Sequence, residues 1–531
     1  MGLLTPAWAA MSSMPTPAPR ARMASTAAST SSARRVSRCP RQRSRCPAAW
    51  ASPAGPGGRR SARFSGPLTF RERMLLIVTV TQGNAQIRGG PMTAPAAPHL
   101  VIGAGYAGLG VARALRADGL DVEVVEKNDE VGGNWLNGVY DSTHIISSRD
   151  TTGYAEFPMP RSYPDFPSRD QMIAYLRSYA EAFSLRELIR FRTEVTNVVP
   201  VTPDGVGGWD ATMRLPDGTV VTRRYTGVAV CNGHHWDKHI PTRPGIFSGL
   251  QMHSKDYRNP SDFQGSRVLV VGAGNSGCDI AVEASRHLGH SLISMRRGYH
   301  FLPKTVLGIP AAELDLPWMP LWAQRTFLRS MVRIIHGRNE RYGIPTPDHR
   351  LFDRHPVVNS EMLHALRHGR VEYRPDIERF DGKTVTFIDG RREEVDTIVW
   401  ATGFAVTFPF LDRDIFEWEN GIPKRVFGML PSTVAGIYAF GVLQPRGGAG
   451  PLISRGAELL ARLARIQATV DHPIAIDLAR IRRADARHLV GVSETMRQIA
   501  VANRILDVYT WRQRRRGLPA RSAPESAERV A

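Results

Sequence analysis

Two glycine-rich turns with opposite charges downstream hold the chemistry most legible in this chain. HLVIGAGYAGLG sets Gly103, Gly105 and Gly108 at G-x-G-x-x-G spacing, and RVLVVGAGNSGCDIA repeats the pattern at Gly272, Gly274 and Gly277. In such a turn the first glycine makes the bend and the second lets backbone approach a pyrophosphate. The third packs helix on strand, with the helix N-terminus facing the phosphates. Downstream, DVEVVEK places Glu126 23 positions after Gly103, where a carboxylate accepts hydrogen bonds from ribose hydroxyls. SLISMRR ends in Arg296 and Arg297, the first of them 24 positions after Gly272. An arginine fork there grips a 2′-phosphate that a carboxylate would repel. The pair predicts FAD at the first turn and NADPH at the second.

The elements that must position these residues follow from periodicity. Each turn succeeds a short β-branched run and opens an Ala-containing helical stretch, the context the motif requires. The fold class expected is α/β, with two dinucleotide-binding, Rossmann-like domains and the NADPH domain inserted into a discontinuous FAD domain. The expected boundaries are an extension at 1–96, the FAD domain at 97–262 and 395–475, and the NADPH domain at 263–394 with an insertion at 305–345. A helical, basic extension at 476–531 completes the chain. SRDQMIAYLRSYAEAF predicts a helix over 168–183 capped by Ser168. WDATMRLPDGTVVTRRYTGVAVCNG (209–233) predicts a hairpin at Pro216–Asp217–Gly218 followed by a buried strand, and 378–394 predicts another hairpin. VDTIVWATGF (395–404) reads as a buried strand ending at Thr402–Gly403.

Composition narrows the function classes. The 531 residues carry a formal charge of +20, which suggests nucleic acid until its location is read. Residues 1–91 hold 14 Arg, no Lys and one acid, Glu72, so most of the excess lies there. That Ala-, Pro-, Ser- and Arg-rich stretch cannot bury enough apolar surface to offset its chain entropy. A mis-assigned start, with Met92 beginning the folded chain, is preferred over a transit peptide or a nucleic-acid tail. MLLIVTV (74–80) is too short to span a bilayer. Cys39, Cys46, Cys231 and Cys278 form no metal or C-x-x-C pattern, and a reducing cytoplasm is the expected home. Cys278 is expected to be a packing residue rather than a reactive thiol.

At IFSGLQMHSKDY, residues Phe247, Gly249, His253 and Tyr257 fit F-x-G-x-x-x-H-x-x-x-[YF], the identifying pattern of flavin-containing monooxygenases. GAGYAG, Glu126, GGNW, EFPMP, CNGHH, GAGNSGCDIA and ATGF also stand in that family's order, from residue 99 to about 445. The chain therefore resembles that family, and Tyr257 stands where the related Baeyer–Villiger enzymes usually carry Trp. The resemblance implies an FAD- and NADPH-dependent monooxygenase that inserts one oxygen atom of O₂ into a small molecule, by N- or S-oxygenation, through a flavin C4a-hydroperoxide. It implies cofactor contacts at Gly103, Ala104, Gly105, Tyr106, Ala107 and Gly108, at Glu126 and Lys127, and at Asn134, Trp135 and Ser147. On the NADPH side it implies Gly272, Gly274, Asn275, Ser276, Gly277, Arg296 and Arg297. Thr402 and Gly403, which the expected boundaries put in the returning part of the FAD domain, complete the cofactor contacts. No catalytic side chain and no metal ligand is assigned, because the cofactor carries the chemistry. His234, His235 and His253 are expected to be backbone-bonding linker histidines.

One position departs from the family. Many members carry Asn in an N-[ST]-[SC]-K segment before FP-x-P; aligned on EFPMP, this chain has Ile146–Ser147–Ser148–Arg149. Ile146 cannot donate a hydrogen bond to a flavin. Within the insertion, LWAQRTFLRSMVRIIHG places Leu321, Leu328, Met331, Val332 and Ile335 on one stripe. A lid helix on the NADPH domain is favoured there over a peripheral membrane contact by 321–337. A small-molecule nucleophile and O₂ are the expected partners, with no nucleic acid, no transmembrane span and a homodimer. The rivals are a Baeyer–Villiger oxygenase acting on ketones and a non-oxygenating NADPH-binding flavoprotein or sensor.

Overall fold

The computed structural model describes residues 97–314, 319–516 and 528–530. The Arg-rich N-terminal stretch, Met92, Cys39 and Cys46 lie outside them. Along the chain run β1 (His99–Ile102), α1 (Tyr106–Ala117), β2 (Val122–Val125), α2 (Arg169–Ala182), β3 (Ile189–Arg190), β4 (Glu194–Pro200), β5 (Trp209–Arg214), β6 (Val220–Tyr225) and β7 (Gly227–Val230). Then come β8 (Leu250–His253), β9 (Val268–Val271), α3 (Asn275–Leu288), β10 (Ser291–Ser294), α4 (Leu321–Ile335) and β11 (Val371–Arg374). The last are β12 (Thr397–Trp400), β13 (Ile437–Ala439), α5 (Gly450–Gln467), α6 (Val492–Arg516) and β14 (Glu528–Val530).

These strands make two five-stranded parallel sheets. The first has the order β13-β7-β1-β2-β3 and the second β11-β10-β9-β12-β8. Parallel sheets are covered on both faces, so their strands read as unbroken apolar runs. HLVI, GVAV, VLVV and TIVW are accordingly buried at every residue. Each buried Val or Ile contributes about 1.5–3 kcal/mol through the water it sheds. On one face of the first sheet α1, α2 and α5 share a core, and Ile453 of α5 fills the space where a Cβ on Gly110 would stand. On the other face lies an antiparallel sheet, β14-β6-β5-β4.

Local expectations hold well. The Ser168 hydroxyl accepts the Gln171 N–H, and the Gln171 side-chain oxygen accepts the Ser168 N–H, a capping box that starts α2. The β5–β6 hairpin turns where Asp217 accepts the Thr219 N–H. Residues 377–394 form three antiparallel strands.

Long-range placement differs from the sequence reading in two strands. The expected boundaries put β12 at the opening of the returning part of the first unit, yet it pairs with β9 in the second sheet. β8 falls before the expected boundary at 263, yet it pairs with β12. The reason is physical: parallel neighbours are joined by long crossovers, so no local pattern names a strand's partner. The chain leaves the first sheet at β7 and rejoins it at β13. Between them, Asp237–Lys238 and Phe404–Ala405 pair antiparallel as the link. The stripe on α4 is covered in part: Leu328, Met331 and Val332 are half-buried and Arg325 pairs with Asp353, whereas Leu321 and Ile335 are exposed and no residue of the helix is fully buried.

Candidate functional site

The two glycine turns are built alike. Gly103 has φ +102° and Gly272 φ +101°, a region that residues bearing a Cβ rarely adopt. A Cβ would also stand 2.8 Å from the Cys231 carbonyl oxygen in the first turn and 2.4 Å from that of Ala401 in the second. At the third glycine, a Cβ on Gly108 would lie 1.8 Å from the Gly103 oxygen, and one on Gly277 1.9 Å from the Gly272 oxygen. Backbone therefore occupies the space a side chain would need at both places.

What faces the turns fits a dinucleotide. α1 and α3 begin at Gly105 and Gly274 with no side-chain cap and no acidic residue in the first turn. Their first N–H groups and positive dipole ends are left for an anion. A Cβ on Gly274 would meet nothing within 4 Å, which leaves the approach to the second turn open. The first turn is partly covered by GGNW: the Gly132 N–H donates to the Ala104 carbonyl, and Gly133 packs on Gly105.

The charged residues complete the contrast. Glu126 is 4% exposed. It accepts the Ala104 N–H at 2.8 Å on one oxygen, and on the other the Asn128 N–H at 2.9 Å and the Asn128 side-chain amide at 2.6 Å. A carboxylate has about four acceptor directions, which leaves one for a ribose hydroxyl. Arg296 is exposed and Arg297 half-buried; the Arg297 Nε is buried without a hydrogen-bond partner, and its guanidinium lies 5.7 Å from the Tyr299 ring. That orphaned donor suits a phosphate oxygen.

The other expected residues divide between the two turns. Lys127 is exposed, with its ammonium 5.5 Å from the Trp236 ring. Asn134 is exposed and Trp135 packs on the first core. The Tyr106 hydroxyl donates to the Thr152 carbonyl. Ser147 shares a 2.6 Å hydrogen bond with the Thr152 hydroxyl, and Ile146 beside it is half-buried. Gly441 stands close to Ala107. Asn275 accepts the Val358 N–H at 2.8 Å, and Ser276 stands in the first turn of α3. Thr402 and Gly403 follow β12 and so stand beside the second turn, not the first. The first turn has Cys231 and Asn232 in the matching place.

F-x-G-x-x-x-H-x-x-x-Y proves to be the frame of the second sheet's edge. Phe247 enters its core, and Gly249 lets the chain pass the Asp396 carbonyl. His253 is buried, bonded through Nε2 to the Gly403 carbonyl at 3.0 Å and accepting the Lys255 N–H on Nδ1. The Tyr257 hydroxyl donates to Glu283 at 2.8 Å.

His234 likewise bonds backbone, at the Gly441 carbonyl, whereas His235 meets the Gln444 side chain. Burial lowers all three histidines, His234 to about 4. Among the described residues no group of His, Cys, Asp and Glu could hold a metal ion. Cys231 and Cys278 are free and buried, and burial pushes both thiols well up, so neither is an activated nucleophile.

Three features escaped the sequence reading. Arg425 is 1% exposed and donates to the carbonyls of Pro423 and Arg487. Asp279 of α3 accepts from Tyr140 at 2.8 Å and Asn359 at 2.6 Å, and burial raises its carboxyl. Lys304 meets His144 at 2.6 Å. Apart from Pro423, their partners are 62 or more residues away in sequence, so spacing carries no signal for them. A cavity of about 400 Å³ beside the link, lined by Trp236, Phe408, Trp418 and Asp412 among others, touches none of the expected cofactor residues.

A family model described as flavin-binding monooxygenase-like matches residues 98–470. The chain is similar to flavin-containing monooxygenase 5 of Homo sapiens, 32% identical over 378 residues that cover 66% of this chain and 70% of that protein. It is 30% identical to the N-oxide-forming dimethylaniline monooxygenase 2 of Macaca mulatta over 394 residues, 68% of this chain and 71% of that protein. Among solved structures, OTEMO in complex with FAD and NADP superposes with a TM-score of 0.59 at 18% identity, covering 77% of this chain and 98% of that one. The flavin-containing monooxygenase from Stenotrophomonas maltophilia gives 0.53 at 22% identity, covering 70% and 98%. These two share the fold.

Proposed function

The chain belongs to the flavin-binding monooxygenase-like family, and on that footing we propose a division of labour between its two sheets. It is an FAD- and NADPH-dependent oxidoreductase that puts one oxygen atom of O₂ into a small molecule. We assign FAD to the turn after β1 and NADPH to the turn after β9. The observation that carries this is the contrast at matching positions: buried Glu126 with an acceptor direction to spare, against Arg297 with a buried donor unspent.

Bound FAD would supply the redox chemistry between NADPH and O₂. The chain's own residues bind, orient and exclude water. The first-turn N–H groups of α1 and α3 would donate to pyrophosphate oxygens, Glu126 would hold a ribose, and Arg296 with Arg297 would hold the 2′-phosphate. Residues 231–236 and 402–404 follow the strands that flank the turns and lead into the link between the sheets. No side-chain acid or base is needed for transfer to a soft nucleophile, an amine nitrogen or a sulfide sulfur. Ile146, placed beside the flavin by alignment, offers an apolar wall that keeps water away.

We extend the reading to the insertion. Trp322 is 72% and Ile334 84% exposed, and Arg329 and Arg333 are exposed on the same helix. Such a helix suits peripheral contact with an anionic membrane surface. Among the described residues no helix is long and apolar enough to cross a membrane. Co-sedimentation with anionic vesicles, abolished in Trp322→Glu/Ile334→Glu, tests that contact; equal sedimentation of the variant refutes it. The main assignment is tested by releasing and identifying the flavin of the purified protein and comparing NADPH with NADH. FAD with an NADPH preference is expected; equal use of both nicotinamides contradicts the role of Arg296 and Arg297.

A further inference from the structure

A file of tyrosines leads away from the first glycine turn. The Tyr106 ring lies 4.8 Å from that of Tyr154, which stacks on Tyr179 at 3.9 Å. Tyr154 and Tyr179 are fully buried. The near end abuts the segment that alignment places beside the flavin: the Tyr106 hydroxyl donates to the Thr152 carbonyl, and the Thr152 hydroxyl bonds Ser147, the neighbour of Ile146.

The hydroxyls along the file differ in one respect. Tyr106 and Tyr154 donate to backbone carbonyls, of Thr152 and Tyr106 respectively, as does Tyr175, which stands beside the file and bonds Phe157. A carbonyl cannot take a proton at neutral pH. Burial also raises the phenols of Tyr106 and Tyr154, so they keep their protons. Tyr179 alone faces a base, donating to Glu156 Oε1 at 2.7 Å. Glu156 has a second oxygen that is buried without a partner, and Arg113 lies 3.8 Å from the first. A phenol that loses an electron becomes strongly acidic, so oxidation is easiest where a base waits for the proton.

We propose that Tyr106, Tyr154 and Tyr179 form an electron relay that carries a one-electron oxidising equivalent from the flavin site to Tyr179, where the phenol gives its proton to Glu156. The proposal rests on FAD occupying the first turn. One electron leaves the Tyr179 ring and passes through the rings of Tyr154 and Tyr106 to a one-electron oxidant at the flavin site. The Tyr179 O–H bond breaks, an O–H bond forms on the Glu156 carboxylate, and a neutral phenoxyl remains at Tyr179. The oxidant in the test is the oxidised flavin excited by light, which gains the electron. In an oxygenase such a path would drain oxidising equivalents that fail to reach substrate from the closed site.

The experiment illuminates the holoprotein with blue light, freezes it and records the electron paramagnetic resonance spectrum. Flavin content is read from the same sample by absorbance. A tyrosyl signal is expected, lost in Tyr179→Phe and in Tyr154→Phe and retained in Tyr175→Phe. These substitutions keep the ring, and flavin content with thermal midpoint reports whether each variant is folded. Glu156→Gln should lower the yield and abolish its dependence on H₂O against D₂O, which a merely structural role would not do. Bound flavin with no tyrosyl signal, or a signal unchanged in Tyr179→Phe, overturns the relay. Absence of flavin overturns the assignment beneath it, and the relay with it.

Discussion

Glu126 accepts the Ala104 backbone N–H at 2.8 Å, so the acid that ends the second strand also fastens the glycine turn that follows the first. Binding and turn geometry are thereby joined in one side chain. Glu126→Ala strands the buried Ala104 donor and removes the ribose acceptor. A hydrogen bond to a charged group is worth about 1.5–3 kcal/mol. FAD should be lost from the variant on dilution, with a lowered thermal midpoint. Fluorescence of released flavin and a thermal melt measure both; full retention of FAD would contradict the placement.

Arg296 and Arg297 follow β10 just beyond its last residue, Ser294, and the Arg297 Nε is buried without a hydrogen-bond partner. Replacing both by Ala should raise the NADPH KM while leaving the NADH value nearly unchanged. Removing one charge-assisted hydrogen bond to the phosphate costs about 1.5–3 kcal/mol, roughly a 10- to 150-fold change in affinity. Steady-state kinetics with the two nicotinamides checks this. A parallel rise in both constants would mean that the arginines do not read the 2′-phosphate.

The turns, their helices and the acid/base contrast are readable from the sequence because each is a local requirement. Gly103 and Gly108 must be glycine, since backbone stands where a Cβ would go. α2 is legible from its apolar spacing and Ser168. The sheet to which Thr397–Trp400 belongs is not, because its partners, at 268–271 and 250–253, come about 130 residues or more earlier. The stripe on α4 is visible, but burial depends on a neighbour, and no residue of that helix is buried. The Tyr106–Tyr154–Tyr179 file and buried Arg425 are likewise products of tertiary packing.

His99, on β1, is 7% exposed, and burial lowers it from 6.5 to about 4. A lowered histidine stays neutral in the fold while the unfolded chain takes up a proton. Its contribution is therefore fully present above pH 6.5 and is lost as pH falls from 6.5 to about 4. One such residue is worth about 3 kcal/mol at the acid end of that window. His234 and His488, also lowered to about 4, act in the same direction. Urea denaturation between pH 7 and 4 should show falling stability, with a shallower slope in His99→Gln. A slope identical in the variant would remove His99 from the account.

The central claim is that this chain transfers one atom of O₂ to a small nucleophile at the expense of NADPH. Its most direct test supplies purified protein, NADPH and ¹⁸O₂ with a panel of a sulfide, a tertiary amine and a ketone, and weighs the products by mass spectrometry. The account predicts a sulfoxide or N-oxide carrying a single ¹⁸O, formed only when NADPH is consumed. NADPH consumption with no label in any product would contradict it, and label confined to an ester from the ketone would transfer the protein to Baeyer–Villiger chemistry.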